Sequence, residues 1–116
     1  MTAFDNRGAG RSPLREGPLS VAKMADDAAA VLRGRELPSA HVAGFSGGSV
    51  IAQELALRHP EVVRSLVLVS TWARPDAYFR SVAASWRWMA EAAPSERAFL
   101  EAFFVWIYTP RPTRTA

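Results

Sequence analysis

Residues 40–48, Ala-His-Val-Ala-Gly-Phe-Ser-Gly-Gly, decide how the chain is read. Ala40-His41-Val42-Ala43 is a short apolar run suited to a strand. Ser49 to Arg58 has the apolar spacing of a helix. Between them, Gly44-Phe45-Ser46-Gly47-Gly48 leaves no room for a loop, so strand must turn directly into helix with Ser46 at the apex. Gly-x-Ser-x-Gly in that setting is a nucleophile elbow. The turn lifts the serine hydroxyl clear of the sheet. Gly44 and Gly48 are expected where strand and helix backbones approach too closely for a side chain. The Gly47 N–H opens the helix and is placed to meet a carbonyl oxygen as it becomes an oxyanion. Ser46 and Gly47 are therefore the candidate catalytic residues.

Downstream, the helix ends at His59-Pro60, because the residue before a proline avoids helical backbone. Ser65-Leu66-Val67-Leu68-Val69-Ser70 follows as a continuous apolar run. Such a run predicts a strand buried on both faces, as in a parallel sheet. Strand, helix and strand at this spacing form a βαβ unit with a right-handed crossover.

Upstream, Ser20 is a good N-cap for a helix with Val21, Met24, Ala28, Val31 and Leu32 on one face. Gly34 is its expected stop. Asp26 and Asp27 are adjacent acids, and neighbours on a helix point about 100° apart. They are read as a solvated face and not as an acid/base couple. Thr2 to Asn6 is a candidate strand. It leads into Asp5-Asn6-Arg7-Gly8-Ala9-Gly10-Arg11-Ser12-Pro13, a glycine-rich loop. A dinucleotide-binding loop would need a third glycine opening a helix. Pro13 stands there instead, and no helix pattern follows at once.

Three segments in this order carry a resemblance. Asp5 to Ser12, the elbow at Gly44 to Gly48, and His59 to Ser70 resemble the α/β-hydrolase family over roughly residues 2 to 72. The resemblance implies an α/β fold class: a partial α/β-hydrolase fold, parallel strands with flanking helices, then the start of a helical cap. The Asp5–Ser12 loop is similar to the one that follows the family's fourth strand, where its role is structural. In the family a third strand lies between the fourth and the fifth. The strands expected at residues 2–6 and 40–45 were thus not built as neighbours, and must either close up or leave an open edge.

Beyond residue 70 the composition changes. Ten of the twelve aromatic residues lie there, including Trp72, Trp86, Trp88 and Trp106. Two helices are predicted. One runs from about Asp76 to Glu91. The other, capped by Ser95, carries Phe99, Leu100, Phe103, Phe104 and Ile107 and is apolar around most of its circumference. The expected organisation is a core over 1–72, a helical cap segment over 73–109 and a disordered tail over 110–116.

A serine hydroxyl needs a base. The resemblance implies a triad in the order Ser, acid, His, and the chain has two histidines. His41 precedes Ser46 and lies in the strand body. His59 is a whole helix away, roughly 18 Å at 1.5 Å per residue. Asp76 falls where some family members place the acid, but it also suits a helix N-cap. The family's histidine-glycine loop, which supplies a second oxyanion donor, has no counterpart here.

The expected function is that of a serine α/β-hydrolase acting on an ester, lactone or thioester. It is present as an incomplete and inactive chain, which reads as the middle of a longer enzyme or a truncated gene product. The partner of the complete enzyme is a small apolar acyl substrate. The alternative is a non-catalytic module that self-associates through open sheet edges.

Composition sets the remaining expectations. Of 116 residues, 49% are hydrophobic, and the net charge is +3. The thirteen arginines and one lysine are scattered among acids, which speaks against a nucleic-acid partner. There is no cysteine, hence no disulfide or thiolate metal site. No cofactor is expected. No apolar run reaches membrane-spanning length, and the N-terminus lacks a signal-peptide core, so a cytoplasmic location is expected.

Overall fold

The computed structural model describes residues 1–14 and 16–108. The tail expected to be disordered from 110 onward lies outside the described residues. The chain forms two units, Met1–Ala73 and a second beginning at Arg74.

In the first unit, α1 (Val21–Gly34) starts at Ser20, whose hydroxyl accepts the Lys23 N–H at 3.2 Å. The helix ends at Gly34 as expected, but the left-handed residue is Glu36, with φ 54°. The chain then enters β1 (Ala40–Phe45), turns at Ser46 into α2 (Gly47–Arg58), and passes a 3-10 turn at Pro60–Val62. It returns in β2 (Val63–Val69), parallel to β1. The register pairs His41 with Ser65, Ala43 with Val67 and Phe45 with Val69.

Both helices of this unit serve one face of the sheet. Ala25 and Ala29 of α1 meet Leu55 of α2 and Val62, with Val42, Val63, Ala28 and Leu32 packed around them. Alanines let the helices approach closely, so Leu55 is the largest apolar side chain fully buried. Burying one leucine contributes about 1.5–3 kcal/mol.

The expectation that the second strand is buried on both faces is overturned. In β2, Val67 and Val69 are 57% and 47% exposed, and Phe45 opposite Val69 is 66% exposed. The reason is that α1 and α2 cover the same face, leaving no layer of this unit for the other.

The strand expected at residues 2–6 does not form. Among the described residues β1 pairs with β2 alone. A cavity of about 530 Å³, lined by Met1, Thr2, Phe4, Leu37, His41 and Val42, separates the N-terminal segment from β1. The two segments have not closed up, and one edge of β1 stays open.

The loop from Asp5 is closed by its own polar groups. Asp5 accepts the Arg11 N–H at 3.0 Å, and its carbonyl accepts the Ser12 hydroxyl at 2.7 Å. Gly10 sits at φ 52° with the Asp5 carboxylate where a Cβ would be, so only glycine fits. Arg7 reaches α1 with a forked bond to Asp27, both contacts 2.6 Å. Asp26 accepts from Arg58 and from His59. The two acids do point apart, but they are fasteners of the unit and not a merely solvated face.

The second unit contains α3 (Ala77–Ala92) and α4 (Glu96–Ile107). Asp76 caps α3 by accepting the Phe79 N–H at 2.7 Å, and Ser95 caps α4 from Ala98 at 3.2 Å. An aromatic cluster joins the helices: Trp86 meets Phe103 edge-on at 5.0 Å, and Phe103 stacks with Phe99 at 5.5 Å. The Trp86 indole N–H is buried there without an acceptor. The second helix, expected to be covered on more than one side, instead leaves Val105 79% and Trp106 51% exposed.

No described helix is long and apolar enough to cross a membrane.

Candidate active site

Ser46 stands between β1 and α2 with φ 51° and ψ −122°, outside both the strand and the helix basins. A serine rarely takes a positive φ, so the surroundings must hold it there. Three contacts do. Its N–H donates to the Val69 carbonyl at 2.9 Å, extending the ladder one residue past the strand. Its carbonyl accepts two bonds from Ser49, from the N–H at 2.9 Å and from the hydroxyl at 2.5 Å.

Serine at a helix N-cap normally uses its hydroxyl to cap, as Ser20 and Ser95 do here. Ser46 makes no such bond. The residue is exposed. Gly47 follows as the first helical residue, so its N–H has no intrahelical acceptor. It is free for an incoming oxygen.

Of the two flanking glycines, one behaves as expected and one does not. A Cβ on Gly44 would collide with the Gly48 carbonyl and lie 2.7 Å from Ser49 Cα. Gly44 is therefore required for the close crossing of strand and helix. A Cβ on Gly48 would meet nothing within 4 Å. It is Gly48's backbone, and not its missing side chain, that crowds the strand.

Neither histidine stands at the elbow. His41 lies on the uncovered face of β1, its Nδ1 2.7 Å from the Ser65 hydroxyl, five residues before Ser46 and so about 16 Å of strand away. His59 closes the opposite end of α2, with Nε2 2.7 Å from Asp26. That bond and the pair from Arg58 hold the Asp26 carboxyl below its ordinary value. Asp76 spends its carboxylate on capping α3.

Three residues at the elbow escaped the sequence reading. Ser49 is fully buried. Gln53 donates from Nε2 to the Thr71 hydroxyl at 2.7 Å and to the Trp72 carbonyl at 3.2 Å. Ser70, just past β2, has φ 53°. The available signal was spacing: Ser49 and Gln53 are four apart on α2 and share a face.

Among the described residues, no group of three or more His, Cys, Asp or Glu side chains is placed to hold a metal ion.

The family model for the alpha/beta hydrolase fold matches residues 1–104. The chain belongs to that family. It is 41% identical over 108 residues to a protein of Azorhizobium caulinodans named "Putative carbamate hydrolase RutD", a match covering 93% of this chain and 40% of the relative. It is 42% identical over 73 residues to a Mycobacterium tuberculosis protein named "Putative non-heme bromoperoxidase BpoC", covering 63% of this chain and 28% of the relative. The crystal structure of a hydrolase from Pseudomonas aeruginosa superposes with a TM-score of 0.66 at 32% identity, over 91% of this chain and 39% of that one. The chain thus spans about 40% of the length of the first of these relatives.

Proposed function

We propose that this chain carries the nucleophile half of a serine hydrolase site. Ser46 is the nucleophile, and the Gly47 N–H is one donor of the oxyanion hole. In the full reaction the Ser46 hydroxyl oxygen attacks an acyl carbonyl and a base takes its proton. The tetrahedral oxyanion collapses with loss of the leaving group, and water releases the acyl-enzyme. The substrates are carbonyl compounds with an apolar acyl or leaving group: esters, lactones, thioesters and, from the relative named a carbamate hydrolase, carbamates. The observation that carries this reading is the Ser46 hydroxyl itself, exposed at a left-handed N-cap position and not used for capping.

No histidine of the chain reaches Ser46, so the isolated chain is read as inactive and the base as supplied from outside these 116 residues. The reading is tested by incubating the protein with a fluorophosphonate, with and without imidazole as a replacement base, and mapping the adduct by mass spectrometry. The expected result is slow labelling at Ser46, faster with imidazole and absent in Ser46→Ala. Labelling spread over other serines, or unchanged in Ser46→Ala, overturns it.

A second reading is favoured by a different observation. The open edge of β1 and the exposed Phe45, Val67 and Val69 suit a module that self-associates through its sheet. Size-exclusion chromatography across a concentration series separates the two. A monomer at all concentrations removes the second reading.

A further inference from the structure

Two residues with side chains sit in the left-handed region at the same end of the sheet. Ser46 follows β1 with φ 51°, and Ser70 follows β2 with φ 53°. The ends of β1 and β2 are paired, Phe45 beside Val69, and the Ser46 N–H bonds the Val69 carbonyl. So the strained residues follow adjacent strands, at the carboxyl ends of a parallel pair, where open α/β sheets take their ligands. Conformations of this kind persist only where the surroundings over-determine them.

Both are held from one helix. Ser49 fixes the Ser46 carbonyl with its N–H and its buried hydroxyl. One turn along, Gln53 fixes Thr71 and Trp72, the two residues immediately after Ser70. Side chains four apart on a helix share a face, so one polar stripe of α2 reaches both strand ends. Hydrogen bonds and chain together close a ring from Ser46 through Val69, Ser70, Thr71, Gln53 and Ser49 back to Ser46.

We infer that Ser49 and Gln53 are positioning residues for Ser46. Ser49 fixes the backbone that aims the hydroxyl and the Gly47 N–H. Gln53 fixes the Ser70–Trp72 segment as the wall beside them, against which the acyl group of a substrate is placed. This inference rests on Ser46 being the nucleophile. Its structural part does not depend on the outcome of labelling.

The experiment compares the full chain with Ser49→Ala and Gln53→Glu. The glutamate keeps the shape of Gln53 but, ionised, has no donor for the Trp72 carbonyl, and it can hold Thr71 only by reversing the bond and accepting from its hydroxyl. Backbone NMR reads the Cα and Cβ shifts of Ser46 and Ser70 and the exchange rates of the Ser46 and Thr71 amides. A thermal melt records global stability. Gln53→Glu is expected to shift the Ser70 and Thr71 signals and speed exchange of the Ser46 amide about tenfold, the scale of one lost hydrogen bond. Exchange at Ala29 in α1 stays as in the parent. Ser49→Ala is expected to move the Ser46 Cα and Cβ shifts away from those of the parent's positive-φ backbone. Both variants label more slowly with fluorophosphonate, by more than is explained by the modest fall in melting temperature that one lost hydrogen bond brings. Unaltered Ser46 and Thr71 signals in both variants overturn the inference. So does a uniform change that includes Ala29, which would mark a purely structural role. If the parent chain does not label at Ser46, the nucleophile reading falls, while the NMR arm still decides whether the clamp exists.

Discussion

Asp26 on α1 and His59 at the end of α2 meet at 2.7 Å, although 33 residues separate them in sequence. Arg58 adds its own bond to the same carboxylate at 3.1 Å. Together they tie the helices at the end remote from the elbow, where the alanine-rich contact between α1 and α2 has little side-chain bulk.

This tie has a pH dependence with a definite sign. The Asp26 carboxyl is depressed by the bond from His59 first and by Arg58 second. A depressed carboxyl stabilises the fold fully above its unfolded value, about 3.9. The contribution disappears as pH falls through the lower folded value. Melting curves from pH 7 to pH 2 are expected to show the parent above Asp26→Asn at neutral pH and the two converging in acid. A gap that persists at pH 2 contradicts the assignment.

The two elbow glycines are expected to respond differently. Gly44→Ala drives a Cβ into the Gly48 carbonyl and should cost about 1–3 kcal/mol, the scale of overpacking. Gly48→Ala enters open space and should fall within about 0.5 kcal/mol of the parent. Urea midpoints of the two variants measure the contrast, and equal losses at both sites would count against this account of the turn.

Leu55 is nearly alone in filling the space between α1, α2 and the sheet. Leu55→Ala is expected to cost about 2–5 kcal/mol. In a small domain that is enough to unfold the first unit at room temperature, seen as loss of helical circular dichroism.

The uncovered sheet face should govern association. Replacing Val67 and Val69, both about half exposed, with lysine leaves the α1–α2 side of the sheet untouched. The double variant is expected to elute later than the parent at high protein concentration, because the apolar patch is broken. Identical elution profiles would show that this face takes no part in self-association.

Turnover of a p-nitrophenyl ester by the 116-residue chain is expected to be indistinguishable from that of Ser46→Ala. Loss of a triad member costs on the order of 10⁶ in kcat. A measurable difference between the two proteins would mean that a base has been overlooked.

The elbow was legible in the sequence because its determinants are local. Gly44, Ser46 and the change from an apolar strand to a helix pattern lie within a dozen residues, and turn sterics leave few alternatives. The caps at Ser20, Asp76 and Ser95 were legible for the same reason. What escaped depends on partners distant along the chain. Whether Val67 faces a layer or solvent depends on which side the helices take, and the run Ser65–Val69 reads alike in both cases. The strand expected at 2–6 failed because a strand exists only with a neighbour, and β1 stands across a cavity from it. Ser49 and Gln53 look like ordinary polar positions until the fold brings Thr71 and Trp72 beside them. Asp26 and Asp27 looked solvated until Arg7, Arg58 and His59 arrived from elsewhere.

The smallness of the core has a calorimetric meaning. Its fully buried apolar members are Ala25, Ala29, Ala52, Leu55 and Val62, three of them alanines. Heat-capacity change and denaturant sensitivity both scale with the surface released on unfolding. The first unit should therefore melt over a wide temperature range with a small heat-capacity step. Its stability curve should be flat, and its urea transition should have a shallow slope even where the midpoint is well defined.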